Sequence, residues 1–264
     1  MIGQKNLLKE IDRQLEDNTF PRFSIVVGER GSESDKIGVY IANHLKANCI
    51  TVPDVKVDTI RTIIQESYKV ASTTVYNIVN ADTMSAQAQN ALLKVTEEPP
   101  NKAYFIMTLE DEINTLPTIK SRGTIYHCDE YSKDEILEYY HTHYKGTEDD
   151  IIYSLCRTPG EVDILLEPKE FYEFMEKVVD NISEASGSNV FKIAEKVKFK
   201  DTDNGYDLIM FWRAFAQICF DRQDYERVAL TSQFLSSVRI KALNKGMLFD
   251  KWILDIRRLS NGSN

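Results

Sequence analysis

Short apolar runs alternate with amphipathic runs over the first half of the chain, and the alternation stops abruptly near residue 130. Phe23–Val27, Asn48–Val52, Val75–Val79, Ala103–Thr108 and Thr124–Cys128 read as strands, rich in β-branched and aromatic residues. Between them, apolar residues recur three and four apart. Leu7, Leu8, Ile11 and Leu15 share one helical face; Ile37, Tyr40, Ile41 and Leu45 share a second; Ile60, Ile63, Ile64 and Tyr68 a third. Ser85–Glu98 reads as a helix that Pro99-Pro100 ends, because proline lacks the N–H and clashes with the preceding turn. Strands that alternate with helices over short loops predict a parallel sheet with helices on both faces, here over residues 1–130.

From Tyr131 onward the strand signal vanishes. Ser132-Lys-Asp-Glu135 has the capping-box pattern, a hydroxyl followed three residues later by an acid, and so opens a helix. Residues 131–168 predict a small helical domain and residues 169–264 an all-helical one. Phe171, Phe174, Met175 and Val178 line one face of a helix, either core or subunit interface. Leu208–Phe220, with Trp212, is a strongly apolar helix that suits either an internal core or packing against other subunits. Leu230–Ile240 and Gly246–Leu259 predict two more helices. Ser183–Asn189 and Lys200–Tyr206 read as connectors, and Ser260–Asn264 as a frayed tail.

The first strand runs into Gly28-Glu-Arg-Gly-Ser-Glu-Ser-Asp35. A strand, a Gly-rich loop and a helix form the setting of a phosphate-binding loop, whose pattern is G-x-x-x-x-G-K-[ST]. Gly28 fits the first position and Gly31 lies inside the loop, but Glu33, Ser34 and Asp35 stand where Gly, Lys and Ser/Thr belong. Glu33 removes the backbone freedom that lets amides curl round a phosphate, and Ser34 carries no charge. Glu33 and Asp35 add negative charge where a triphosphate would lie. Lys36 comes two places late. No bound nucleotide is expected, and the loop reads as a strand-to-helix turn capped by Ser34 or Asp35. The strand Val75–Val79 leads to Asn80, which is no anionic ligand for Mg²⁺, where a nucleotide hydrolase needs an acid. Asp82, two residues on, reads as a turn or cap residue.

Two blocks carry a family resemblance. Ala81-Asp-Thr-Met-Ser-Ala-Gln-Ala-Gln-Asn-Ala-Leu-Leu-Lys-Val-Thr-Glu-Glu-Pro-Pro100 and Leu116-Pro-Thr-Ile-Lys-Ser-Arg122 resemble the signature of clamp-loader AAA+ subunits, and Ile2-Gly-Gln4 resembles that family's opening motif. The resemblance spans most of residues 1–130. It implies an AAA+ α/β domain, a small helical lid over 131–168 and an all-α collar over 169–264. The degenerate loop is similar to that of delta-prime-type members, which are ATPase-silent stators in a heteropentamer with gamma/tau-type ATPase subunits and a delta subunit. Together they load the sliding clamp onto primed DNA. The resemblance implies that this chain is no catalyst by itself and that Arg122, preceded by Ser121, reaches the ATP site of a neighbouring subunit. A guanidinium is always charged and can meet a phosphate with two hydrogen bonds.

The chain departs from the family pattern in several places. Gly123 replaces the Cys that follows the arginine, which loosens the backbone aiming it. Many relatives carry a four-Cys zinc module after the first helix; here the chain passes from Leu45 through a single Cys49 to Pro53, so that module is absent. Thr108 resembles the γ-phosphate sensor by position but, without a working phosphate loop, reads as a strand-end hydroxyl, and Gly160, in Arg157-Thr-Pro-Gly160, stands where active relatives place a second sensor arginine.

Other chemistries find little support. Cys49, Cys128, Cys156 and Cys219 are scattered, and His141-x-His143 is the only close histidine pair, so no metal site is expected. Glu97 and Glu98 point about 100° apart on a helix and read as interface or capping acids rather than an acid/base pair. With 32 basic against 41 acidic side chains the net charge is −9, a poor balance for a protein that grips DNA alone. The charged segment Met1–Asp17 is no secretory leader, and no run approaches the roughly 18 apolar residues of a membrane helix, so a cytoplasmic protein is expected. Two other readings stay open: an active AAA+ ATPase with an unconventional phosphate loop that uses Lys36, and a stand-alone DNA-binding module.

Overall fold

The computed structural model describes residues 3–144, 146–165, 167–183, 187–199, 205–238 and 243–262. Ile2, Ile240 and the connector residues 184–186 and 200–204 lie outside the described residues. The chain divides into two compact units: residues 3–135 with 158–160, and residues 136–157 with 161–262. No helix among the described residues is long and apolar enough to cross a membrane.

In the first unit the elements run α1 (Lys5–Glu16), β1 (Phe23–Val27), α2 (Asp35–His44), β2 (Asn48–Val52), α3 (Val57–Ser67), β3 (Thr74–Ile78), a 3₁₀ turn at Ala81–Thr83, α4 (Ala86–Glu97), β4 (Ala103–Leu109), α5 (Pro117–Lys120) and β5 (Thr124–His127). The five strands form one parallel sheet in the order β2-β3-β4-β1-β5. Side chains on a strand alternate between faces, and the burial follows this rule. Phe23 and Ile25 of β1, Tyr76 and Ile78 of β3 and Phe105 and Met107 of β4 pack with α3 and α4 residues such as Ile60, Ile63, Leu92 and Val95. Val26, Val75 and Ile106, one residue out of phase, pack on the other side with Leu7, Ile11, Ile37 and Ile41 from α1 and α2. Most of these side chains are buried outright, and each full burial of an Ile or Phe contributes about 1.5–3 kcal/mol. The sheet is therefore covered on both faces, as the alternation predicts.

Ser132 and Glu135 close the expected capping box. Ser132 N donates to Glu135 Oε2 at 3.0 Å, and Glu135 N donates to Ser132 Oγ at 3.2 Å. The helix that this box opens is α6 (Lys133–His143), followed by α7 (Asp149–Leu155) and α8 (Pro159–Ile164).

The second unit continues with α9 (Pro168–Asn181), α10 (Gly187–Ala194), β6 (Val197–Lys198), β7 (Tyr206–Asp207), α11 (Leu208–Asp221), α12 (Tyr225–Ser237) and α13 (Lys245–Gly262). Trp212 is fully buried with Phe211, Phe215, Phe249 and Trp252, so α11 builds an internal core. Trp252 Nε1 donates to Thr231 Oγ1 at 3.1 Å, which satisfies the indole in that apolar setting. Phe171, Met175 and Val178 are buried as well.

Three expectations for this region need correction. It is not all-helical: β6 and β7 pair in parallel, Val197 with Tyr206 and Lys198 with Asp207. Asp207 ends this ribbon and leads directly into α11, where its carboxylate caps Ile209 N at 3.0 Å and Met210 N at 3.2 Å. Gly187 already belongs to α10, and α13 runs through Gly262 instead of fraying at Ser260.

Candidate functional site

The loop between β1 and α2 is folded in on itself. Gly31 has φ +79°, a left-handed conformation that suits glycine, and Glu33 adopts φ +60° without that freedom. Ser32 N donates to Glu29 O at 2.9 Å, so this amide is spent inside the loop. Space over Gly28 is taken by Ser32 and Cys128: a Cβ there would lie 2.4 Å from Ser32 Oγ and 2.6 Å from Cys128 Sγ. Burial pushes the Cys128 thiol up to about 11, so it stays neutral in the loop. Tyr131 Oη donates to Ser32 O at 2.8 Å.

Over Gly31 the occupant is the turn Thr158–Gly160. Gly160 N donates to Gly31 O at 3.0 Å, and Thr158 Oγ1 donates to Arg30 O at 2.9 Å. Lys36 forms an ion pair with Glu33 three residues earlier. Glu33 Oε2 is buried without a hydrogen-bond partner. Ser34 occupies the position before α2 but makes no side-chain cap, and Asp35 is the first helical residue. Below them Asn77, buried on β3, donates from Nδ2 to Asp35 O at 2.7 Å. Gly38 is required by that contact, since a Cβ would lie 2.3 Å from Asn77 Cγ. Asn77 and the 158–160 turn carried no local sequence sign of these roles.

Asn80 is exposed with φ +54°, and its carbonyl accepts from Thr83 N at 3.0 Å and Thr83 Oγ1 at 2.8 Å. It starts the 3₁₀ turn. Asp82 Oδ1 accepts from Glu110 N at 3.3 Å, consistent with a turn residue. Thr108 is buried within β4.

Ser121 and Arg122 follow the single turn α5. Ser121 Oγ donates to Thr118 O at 3.1 Å, and Arg122 Nη1 donates to the same carbonyl at 2.8 Å. Arg122 Nε donates to Glu97 Oε1 at 2.8 Å, and Nη2 bonds the same oxygen. The guanidinium thus spans the C-terminal ends of α4 and α5, where carbonyl groups favour a cation. Its side chain is 31% exposed and that of Glu97 52%. At Gly123 there is little room for a side chain: a Cβ there would lie 2.9 Å from Phe23 Cε1 and 3.0 Å from Ile25 Cδ1.

Gln89 is the residue that sequence reasoning missed. It lies on α4 and is 1% exposed. Its Nε2 donates to Asn114 O at 2.9 Å and its Oε1 accepts from Leu116 N at 2.8 Å. One side chain thereby ties α4 to the strand-to-turn segment that leads into α5 and Arg122.

The histidine pair diverges. His141 Nε2 lies 3.2 Å from Asp149 Oδ2, while His143 Nδ1 lies 2.9 Å from Tyr139 O and its ring stacks on Tyr139. Among the described residues no group of three or more His, Cys, Asp or Glu converges on one point.

A five-stranded parallel sheet in this order, flanked by helices and followed by a helical region, is an AAA+-type fold. A solved DNA polymerase III gamma subunit-related protein from Thermotoga maritima superimposes with TM-score 0.55 at 16% identity, over 94% of this chain and 98% of that one. A RuvB point mutant of the same organism gives TM-score 0.53 at 16% identity, over 97% and 89%. RuvB itself, described as a Holliday junction branch migration motor, gives TM-score 0.50 at 18% identity, over 84% and 78%. At these identities the structures speak for the fold. No curated protein matches the sequence. Residues 46–131 match the family model described as DNA polymerase III, delta subunit. That segment, about a third of the chain, holds β2 to β5, Asn80, Gln89, Glu97 and Arg122.

Proposed function

We propose that this chain is an ATPase-silent stator of delta-prime type in a DNA polymerase III clamp-loader complex. In this reading it helps load the sliding clamp onto primed DNA during replication, next to gamma/tau-type ATPase subunits and a delta subunit in a heteropentamer. The first unit supplies the AAA+ framework and the C-terminal helices the collar. The chain hydrolyses nothing by itself; Arg122, with Ser121 beside it, completes the ATP site of a neighbouring subunit.

One contrast carries the reading. The chain's own groups pack directly on the loop that would hold phosphate, Ser32 and Cys128 against Gly28 and the 158–160 turn against Gly31. Arg122, by contrast, stands partly exposed at the ends of two helices. Lys36, the residue an active loop would need, is paired with Glu33. The net charge of −9 speaks against DNA binding by this chain alone.

The test is steady-state Mg-ATP turnover by the chain assembled with clamp-loader subunits whose phosphate loops are intact. Arginines donated in trans are worth roughly 10³–10⁵ in rate. Arg122→Ala should abolish turnover at the one site it faces and lower that of the whole complex several-fold. Unchanged turnover in a correctly assembled complex sinks the assignment. Calorimetry of the isolated chain with Mg-ATP should show no binding, and micromolar binding would favour the active-ATPase alternative.

A further inference from the structure

Arg122 has five N–H donors, and three are engaged: Nε and one N–H of Nη2 on Glu97 Oε1, and one N–H of Nη1 on Thr118 O. One N–H remains on each terminal nitrogen. The pair on Glu97 forms the edge of the guanidinium that includes Nε, so the carboxylate grips the arginine from the side. An exposed arginine with no such grip samples many rotamers and loses that freedom each time it meets a ligand.

Glu97 is well placed to prevent this. It is the last residue of α4, and the next residue, Glu98, still donates its amide to Lys94 O at 3.2 Å before Pro99-Pro100 ends the segment. The carboxylate therefore projects from a fixed point. Thr118 O lies in α5, whose entry is tied to α4 through Gln89 and Leu116 N at 2.8 Å. Both acceptors of Arg122 belong to one rigid frame.

We infer that Glu97 is a positioning residue, which holds Arg122 by its Nε edge so that the two remaining N–H groups meet a phosphate of the neighbouring subunit's nucleotide. This inference rests on the proposed role of Arg122. It assigns the first of the two adjacent acids a task separate from Glu98.

Turnover of the same assembled complex tests it, with kcat and KM for ATP measured separately. Misplacing a catalytic group by about 1 Å can cost on the order of a hundredfold. Glu97→Ala should lower kcat at the site Arg122 faces by about ten- to a hundredfold while KM changes by less than about threefold. Glu97→Gln keeps an oxygen for both N–H groups and should restore most of the loss. Glu97→Ala added to Arg122→Ala should cost nothing further. Thermal denaturation and assembly of each variant, unchanged from the parent, separate positioning from misfolding.

Three results overturn the inference: Glu97→Ala with normal turnover although Arg122→Ala is slow, Glu97→Ala with faster turnover, or an equal further loss on top of Arg122→Ala. Each leaves the proposed function standing. Normal turnover with Arg122→Ala itself removes the proposed function, and this inference with it.

Discussion

Gly31 and Gly160 meet backbone to backbone, the amide of Gly160 donating to the carbonyl of Gly31 at 3.0 Å. The approach is possible only because neither residue has a side chain: a Cβ on Gly160 would lie 2.5 Å from Gly31 Cα, and one on Gly31 would lie 2.8 Å from Gly160 Cα. Residues 129 positions apart in the chain thus depend on each other's smallness.

Gly160→Ala should force this contact apart. Overpacking of such a site costs about 1–3 kcal/mol, or a fall in Tm of roughly 2–5 °C for a chain of this size. Thermal denaturation followed by circular dichroism measures it. An unchanged Tm would mean that the turn moves aside at no cost.

Gln89→Leu should destabilise the first unit. The change keeps the volume roughly constant but strands Asn114 O and Leu116 N, which the amide now satisfies from a side chain 1% exposed. Both bonds are only partly buried, so leaving these backbone groups without the Gln89 partner should cost about 1 kcal/mol, the low end of the buried-group penalty. Urea denaturation of the two proteins reads the difference directly; under the proposed function, turnover of the assembled complex should fall as well, because the same segment leads to Arg122.

The capping box at Ser132 makes a pH-dependent contribution. The amide of Ser132 holds the Glu135 carboxyl below its usual 4.5, with the Ser132 hydroxyl adding to the effect. A depressed folded-state value means that the contribution is complete above the unfolded value and is lost as pH falls through the folded one. Glu135→Ala should therefore lower stability at pH 7, and the gap between parent and variant should close as the pH falls below about 4. Denaturation curves at pH 7, 5 and 3 check this; a constant gap would show that the carboxylate's charge is irrelevant.

Most of the sheet was legible because burial on a strand repeats every second residue. Phe23 and Ile25 face one side and Val26 the other, and no local competitor obscures that pattern. The loop's departures at Glu33, Ser34 and Asp35 were also visible, since a motif is a local object. What packs against the loop was not, because Cys128 and Gly160 come from far along the chain. Gln89 was hidden for a different reason: it shares α4 with Gln87 and Asn90, and composition does not tell a buried amide from two solvated ones. The Glu97–Arg122 pair spans 25 positions and two helices, beyond any periodicity. The β6–β7 ribbon is two residues deep on each side, too short for alternation to register. At Gly123 the letter was legible, but the crowding by Phe23 and Ile25 that leaves little room for a side chain there was not.

The packing over Gly28 and Gly31 changes how this domain's stability answers to the cell. A loop stabilised by a bound small molecule borrows rigidity from the surroundings, as RT ln(1 + [L]/Kd), and softens when the pool runs down. The groups that pack on Gly28 and Gly31 are Ser32, Cys128 and the 158–160 turn, all covalently part of the same chain. Their effective concentration is set by the polypeptide itself, so what they contribute is the same in a starved cell as in a growing one.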